Sequence, residues 1–350
     1  MPSNSWERRQ GFTVVYKVLV TGGAGFIGSH FVKRMLAADA GIEVTVLDAL
    51  TYAGHLDNLG EVASSPRLRV IEGNILDTAL VDQLMRSHCA VVHLAAESHV
   101  DRSFFHAGNF VSTNVLGTQI LLDAAMRAGV RKFVHVSTDE VYGPLPTGAA
   151  SEDAPLAPTV PYAASKAASD IIALSYYRTY SFPVCITRSS NNFGPAQHPE
   201  KIVPRFITSL LKHEYVALHG DGGHVRNWVY VDDNCMGLEL VLRDGVPGEV
   251  YNIGGGTDLT NAELTQRLLP LLDADWDRVR HVADRPSNDR RYAMTWDKIA
   301  ALGYRPRWSF AEGLAATVHW YRDNPSRWAP QCRNPAAPLA VIGLDTAAGE

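Results

Sequence analysis

Apolar positions in the first half of the chain fall in short continuous runs, separated by segments with helical spacing. The runs are Val14-Val-Tyr-Lys-Val-Leu-Val20, Glu43-Val-Thr-Val-Leu-Asp48, Arg67-Leu-Arg-Val-Ile71, Ala90-Val-Val-His-Leu94, Lys132-Phe-Val-His-Val-Ser137 and Val184-Cys-Ile-Thr-Arg188. They are rich in β-branched residues and do not alternate, as strands buried on both faces do not, so they predict parallel strands. Between them, Ser29 to Ala38, Thr78 to Ser87, Phe110 to Ala128 and Pro161 to Tyr180 carry apolar residues at helical spacing. Gly129 is placed to end the third of these helices and Pro161 to begin the fourth. Strands alternating with helices predict an α/β chain with a doubly wound parallel sheet over residues 14–190.

After about residue 190 the rhythm changes. Pro and Gly become frequent, and short strands, turns and helices mix. Residues 191–330 read as a smaller mixed α/β domain that caps the first. Leu218 to Gly223 and Gly254-Gly-Gly256 read as turns. Trp228-Val-Tyr-Val231 reads as a buried segment, and the stretch near 226–245 is expected to rejoin the first domain. Residues 1–13 read as an extension and 331–350 as a loose tail. Arg8-Arg9 followed by Phe12 has the look of a twin-arginine signal, but the apolar run after it is short and flows into a glycine-rich loop.

Composition narrows the function. The 350 residues are 46% hydrophobic and 20% charged, which excludes whole-chain disorder. A net charge of -5 leaves no electrostatic footprint for nucleic acid or an anionic membrane. No apolar run approaches a membrane span. The cysteines, Cys89, Cys185, Cys235 and Cys332, show no metal-type spacing, and a reducing cytoplasm fits. His93, His99 and His106 have no ligand spacing, so no metal is expected.

Gly22, Gly25 and Gly28 form a GxxGxxG pattern between the first strand and the first helix. Glycine there lets the chain turn tightly and lets backbone N–H groups approach a pyrophosphate at a helix N-terminus. Asp48 ends the next strand, about 20 residues past Gly28, where an acid accepts from ribose hydroxyls and repels a 2′-phosphate. The pair predicts a Rossmann domain that takes NAD rather than NADP.

Tyr162 and Lys166 are one helical turn apart, so both side chains share a face. A free phenol titrates near ~10, too high for a base at neutral pH. A lysine ammonium and a positive nicotinamide ring beside it favour the phenolate. Such a pair takes a proton from a sugar hydroxyl as hydride leaves the same carbon. Ser137-Thr-Asp-Glu-Val-Tyr-Gly143 sits where the fifth strand ends, and strand carboxyl ends are where open α/β sheets bind ligands.

With these segments in place the chain resembles the extended short-chain dehydrogenases, and within them the dTDP-glucose 4,6-dehydratases. The resemblance is carried by Thr21-Gly-Gly-Ala-Gly-Phe-Ile-Gly-Ser29, Leu94-Ala-Ala-Glu-Ser-His-Val-Asp-Arg-Ser103, Ser137-Thr-Asp-Glu-Val-Tyr-Gly143 and Pro161-Tyr-Ala-Ala-Ser-Lys166. Asn191-Asn-Phe-Gly-Pro195, Pro199-Glu-Lys201 and Asp284-Arg-Pro286 continue it, from about residue 16 to about residue 323. The first and fourth segments are shared across the superfamily. The Thr-Asp-Glu triplet and the Leu94–Ser103 segment are far more specific.

The resemblance implies a dTDP-glucose dehydratase with NAD as cofactor. In it Glu140 is the base at C5, Asp139 protonates the departing C6 oxygen and Thr138 hydrogen-bonds the C4 oxygen. Tyr162 and Lys166 serve the oxidation. For the cofactor it implies Gly22, Gly25, Phe26, Ile27 and Gly28 at the phosphates, and Asp48, Ala49, Leu50 and Thr51 at the adenosine ribose. Asn74 and Ile75 pass the adenine, while Leu94, Ala95, Ala96, Thr113 and Asn192 follow the rest. For the substrate it implies Ser98 at the sugar, Asn191 at the hexose or a phosphate, Lys201 and Pro204 on the nucleotide side, and Arg226 at the diphosphate. Asn261, Asp284, Arg285, Pro286, Ser287 and Asn288 finish the nucleotide pocket. This chain reads Asp284-Arg-Pro-Ser-Asn-Asp289 where the family reads Asp-Arg-Pro-Gly-His-Asp, and His219 where tyrosine is frequent.

A 4-epimerase or decarboxylase of the same superfamily is the competing reading. The paired Asp139 and Glu140 oppose it, since returning hydride to C4 needs no second acid and base. A non-catalytic NAD-binding scaffold would have lost part of the Thr138, Asp139, Glu140, Tyr162 and Lys166 set, and all five are present. Helices 110–128 and 161–180 carry apolar residues on more than one face, and the superfamily pairs them across a twofold axis, so a homodimer is expected.

Overall fold

The computed structural model describes residues 16–285 and 287–333. Val14, Val15, the 1–13 extension, Pro286 and the tail from 334 lie outside the described residues. Among those described, the strands are β1 (Tyr16–Thr21), β2 (Ile42–Asp48), β3 (Leu68–Glu72), β4 (Ala90–His93), β5 (Lys132–Thr138), β6 (Val184–Ser189), β7 (Asn191–Phe193), β8 (Val216–His219), β9 (Val225–Tyr230), β10 (Val250–Ile253), β11 (Thr257–Thr260) and β12 (Val279–Val282). The helices that position the site are α1 (Phe26–Ala38), α2 (Thr78–Met85), α3 (Val100–Phe105), α4 (Ala107–Phe110), α5 (Gly117–Arg127), α6 (Pro161–Tyr180), α7 (Ile202–Leu211), α8 (Val231–Asp244) and α9 (Asn261–Leu268).

Seven strands form one parallel sheet in the order β10-β6-β5-β4-β1-β2-β3. The order reverses beside β1, and the two parallel halves wind outward from it, as the strand–helix alternation predicts. Both faces are covered. On one, α1 and α8 pack with Val18, Val20, Phe31, Val92 and Val134; on the other, Leu19, Leu121, Phe133 and Ile186 meet the α2, α5 and α6 side. Burial on both faces is why β5 is buried at all seven of its residues.

Three-stranded and two-stranded sheets complete the chain. β9 lies between antiparallel β11 and parallel β7, and β12 pairs parallel with β8. They share an aromatic core of Phe193, Trp228, Tyr230 and Phe310, with Phe193 and Phe310 ring centroids 5.0 Å apart.

Several local expectations are revised. Residues 226–245 divide between the two regions: β9 stays in the three-stranded sheet, and it is α8 that packs against α1. β10, which the sequence pattern did not single out, forms the edge of the main sheet beside β6. Leu218 and His219 finish β8, so the turn begins at Gly220, whose φ is 56°. The expected single helix 110–128 is broken: a π-helical segment, Val111–Leu116, separates α4 from α5.

Candidate active site

A cleft of about 670 Å³ runs across the carboxyl ends of the main sheet toward the smaller sheets. Its first wall is the glycine turn. Gly22 has a φ of 72°, and a Cβ there would stand 2.6 Å from the Ala95 nitrogen. A Cβ on Gly28 would stand 2.1 Å from the Gly22 oxygen. Both positions therefore need glycine for the turn to close against the β4 loop. α1 starts directly from it, with Gly25 at the N-cap, no side chain capping it and no acid in the first turn. That leaves a positive helix end facing the cleft.

Asp48 sits at the end of β2, buried. Its Oδ2 accepts from the Ala24 N–H at 2.9 Å and its Oδ1 from the Leu50 N–H at 2.9 Å. Each carboxylate oxygen keeps a further lone pair for a ribose hydroxyl. A closed glycine cradle, an uncapped helix end and an anchored acid together fit an anionic dinucleotide with free ribose hydroxyls, as NAD has.

Thr138 ends β5 and caps the turn that follows, its Oγ1 accepting from the Glu140 N–H at 3.3 Å. This places Asp139 and Glu140 side by side at the cleft floor. Asp139 is 3% exposed and its Oδ2 has no hydrogen-bond partner. Burial, and then the charge of Glu140, push the Asp139 carboxyl up to about 7. Burial also raises Glu140, but Arg226 and Lys201 oppose that. Two adjacent carboxyls cannot both ionise freely, so Glu140 ionises first and Asp139 keeps its proton near neutrality.

Tyr162 packs edge-on against Phe110, with ring centroids 6.3 Å apart. Lys166 is buried and its Nζ donates to the Val136 oxygen at 2.7 Å. Burial, together with Glu140, drives the Tyr162 phenol above its ordinary value, while a hydrogen bond with Thr138 opposes this. The sequence-based expectation that Lys166 brings the phenol down is not met by the protein alone. Burial lowers Lys166 itself to about 8.

Nearly every residue singled out from sequence lines this cleft: Gly22, Gly25, Phe26, Ile27, Gly28, Asp48, Ala49, Thr51, Asn74, Ile75, Leu94, Ala95, Ala96, Thr113 and Asn192 on the cofactor side. Ser98, Asn191, Lys201, Arg226, Asn261, Arg285, Ser287 and Asn288 line the other, with Thr138, Asp139, Glu140, Tyr162 and Lys166 between. Three do not line it. Leu50 contributes its backbone N–H to Asp48, from a left-handed conformation with φ 46°. Pro204 is buried in the first turn of α7. Asp284 pairs with the His224 Nε2 at 3.1 Å and accepts from the Asn288 Nδ2 at 2.7 Å. Pro286 lies outside the described residues.

Sequence reasoning missed a second cluster in the same cleft. Arg102 lies 3.8 Å over the Tyr52 ring and 3.4 Å from Glu200, and the Tyr52 hydroxyl is 3.5 Å from Glu97. Lys201 donates to the Ser98 oxygen, 2.6 Å away. These contacts tie the β4 loop and α3 to the start of α7. Tyr292 was also missed; its hydroxyl donates to Asp289 at 2.7 Å and its ring lies 4.5 Å from the Arg226 guanidinium. His93 is a buried strand residue between the Thr21 and Thr118 hydroxyls, at 2.7 Å and 2.9 Å.

A doubly wound sheet, a glycine turn with its acid and a Tyr–Lys pair on one helix define an NAD-dependent enzyme of the extended short-chain dehydrogenase class. The sequence profile of the GDP-mannose 4,6 dehydratase family matches residues 19–317. A dTDP-glucose 4,6-dehydratase from Streptomyces antibioticus is 55% identical over 329 residues, covering 92% of this chain and 97% of that one. Among solved structures, the dTDP-glucose 4,6-dehydratase DesIV from Streptomyces venezuelae, with NAD and dTDP bound, superposes with a TM-score of 0.88. It is 55% identical, over 90% of this chain and 99% of that one. A UDP-glucose 4-epimerase from Thermus thermophilus with NAD gives 0.81 at 34% identity, over 87% and 99%. The chain belongs to the dTDP-glucose 4,6-dehydratase family.

Proposed function

We infer that the protein converts dTDP-glucose to dTDP-4-keto-6-deoxyglucose by oxidation at C4, loss of water across C5 and C6, and reduction at C6. The observation that carries this is the Asp139–Glu140 pair, set beside Tyr162 in one cleft, both raised by burial but Glu140 opposed by Arg226 and Lys201. NAD, when bound, takes the hydride lost at C4 and gives it back at C6. Tyr162 accepts the proton of the C4 hydroxyl, and Thr138 holds that oxygen. The 4-keto group then makes the C5 proton acidic. Glu140 removes it, and Asp139 delivers its proton to the C6 oxygen, which leaves as water. Protons balance: elimination leaves Glu140 protonated and Asp139 ionised, Glu140 gives its proton to C5 as hydride reaches C6, and the proton that Tyr162 took from the C4 hydroxyl matches the one that Asp139 lost to the departing water.

Arg226, pinned by the Tyr292 ring and by Asn288 at 3.4 Å, is placed to pair with the diphosphate. Asn288, standing where the family has histidine, keeps that guanidinium oriented through its Oδ1 while its Nδ2 holds Asp284. His219, bonded to the Ala283 oxygen at 3.1 Å, lines the same cleft. We propose a cofactor domain over 14–190, joined by α8 and β10 at the main sheet, and a sugar-nucleotide domain over the rest of 191–330.

The test is incubation with dTDP-, UDP-, GDP- and CDP-glucose, followed by the alkali-induced absorbance of a 4-keto-6-deoxy sugar. Product from dTDP-glucose is expected. Conversion of dTDP-glucose to dTDP-galactose without loss of water would establish the epimerase instead.

The outer faces of the helical pair support a homodimer. Val111, Leu116, Ile171, Tyr177 and Tyr180 are exposed there, Ile171 by 59%. Exposed apolar side chains on these adjoining helices offer a surface to a second copy of the chain. Light scattering at micromolar concentration is expected to give twice the 38.2 kDa chain mass, and a monodisperse monomer would refute the pairing. No helix among the described residues is long and apolar enough to cross a membrane; a cytoplasmic enzyme is the reading that the sparse cysteines support.

A further inference from the structure

Behind the Tyr162–Lys166 pair lies a group of charged side chains with no part in the steps above. α6 continues one turn past Lys166 to Asp170, so the two side chains share a face. Asp170 is 0% exposed. Its Oδ2 accepts from the Arg188 Nε at 2.9 Å, and its Oδ1, 3.3 Å from the His135 Nε2, has no hydrogen-bond partner. Arg188 also donates to the Tyr142 hydroxyl at 2.9 Å, which donates to Asn252 at 2.7 Å. His93 on β4 lies against His135, ring centroids 5.4 Å apart. The titratable groups around Lys166 and Asp170 are His93 from β4, His135 from β5, Arg188 from β6, Asp139, Glu140 and Tyr142 from the turn after β5, and Tyr162 from α6 itself.

These groups differ in what charge they can supply. Burial holds His135 down to about 4 and His93 well below its usual range, so both are neutral at physiological pH. Burial acts to raise Asp170, but the adjacent His135 ring and the Arg188 charge overcome it, so Asp170 is held below its ordinary value and is ionised. Of the surrounding groups Asp170 is the one that opposes the effect of burial on Lys166. Arg188 engages one of the two carboxylate oxygens, and the other, beside His135, is left without a hydrogen-bond partner.

We propose that Asp170 is a positioning residue for the first step: its buried carboxylate, one turn behind Lys166, keeps that lysine an ammonium and so sets the charge against which Tyr162 gives and takes its proton. This rests on the assignment of Tyr162 and Lys166 to C4 oxidation.

The test uses the NAD-loaded protein with Asp170→Asn and with the double change Asp170→Asn/Arg188→Met. The double variant removes Arg188 together with its partner and so leaves no buried guanidinium unpaired, and it decides the matter if the single one fails to fold. Two quantities are followed against pH. One is the titration of Lys166 by ¹⁵N-lysine NMR, its signal assigned by its loss in Lys166→Met. The other is the stopped-flow rate of nicotinamide reduction on mixing with dTDP-glucose, which precedes any work by Asp139 and Glu140. In both variants the Lys166 midpoint is expected to fall by about one pH unit or more, and the alkaline limb of the first-step rate to move with it. Restored thermal stability in the double variant, with the Lys166 midpoint and the limb unmoved, would show Asp170 to be only the partner of Arg188 and overturn the proposal. Failure of the underlying assignment looks different: Tyr162→Phe would then reduce nicotinamide as fast as the parent, whatever the Lys166 midpoint does.

Discussion

Tyr162→Phe is expected to abolish oxidation at C4 while leaving sugar-nucleotide binding nearly intact. The change deletes one oxygen and keeps the ring, so the edge-on contact with Phe110 survives. Arg226, proposed for the diphosphate, and Lys201, proposed for the nucleotide side, line the same cleft and are untouched. What is lost is the proton acceptor, and Thr138, whose Oγ1 is already engaged by the Glu140 N–H, has no lone basic site to replace it. General bases contribute ~10²–10⁴-fold, so nicotinamide reduction in a single turnover is expected to fall by at least that range's lower end. A variant still within about tenfold of the parent would have lost less than ~1.4 kcal/mol of barrier, too little for the base of the first step.

Such single-residue expectations are possible because the chemistry of this site is written in contiguous segments. Thr138, Asp139 and Glu140 are neighbours in sequence because one strand end delivers all of them. Tyr162 and Lys166 are legible from one helical turn, and Asp48 from its distance to the glycine turn. The sheet was legible for a similar reason: strands buried on both faces leave uninterrupted apolar runs.

What was not legible depends on partners distant in sequence. Glu97, His99 and Arg102 stand inside a recognisable segment, yet their tasks appear only when Tyr52, His198 and Glu200 arrive from elsewhere. Burial holds His99 down to about 2, which identifies it as a neutral helix cap rather than a charged ligand. The π segment has no composition signal either. It shows in the pinning of Asn114, which donates to the Glu97 oxygen and Ser165 Oγ at 2.9 Å each and accepts from the Glu97 N–H at 2.8 Å. One side chain thereby locks the β4 loop to α6, and helical spacing alone reads straight through it. β10 escaped because four residues are too few for a period. Pro204 falls outside the cleft lining because a motif position says that a residue lies near the cleft but not which way it faces.

The acids separate most sharply by experiment. Glu140→Gln cannot take the C5 proton, and Asp139→Asn cannot give one to the C6 oxygen. Tyr162 and Lys166 remain in both variants, so oxidation at C4 is expected to persist. Mixing either variant with dTDP-glucose is expected to leave the reduced-nicotinamide absorbance standing, with product formation lowered ~10²–10⁴-fold. The two variants then part. Solvent deuterium is expected to enter C5 with Asp139→Asn, because the base is intact, and not with Glu140→Gln. The parent adds a pH signature. Burial and the Glu140 charge set Asp139 at about 7, so the proton it must donate is present below that value and lost above it. Steady-state dehydration should therefore decline as pH rises through neutrality, while the first-turnover reduction of nicotinamide should not decline with it. In Glu140→Gln the charge that helps raise Asp139 is gone, so Asp139 should lose its proton at a lower pH. Equal deuterium entry in the two variants, or a parent whose oxidation and dehydration decline together through neutrality, would mean that the acid and the base are not divided between these two residues.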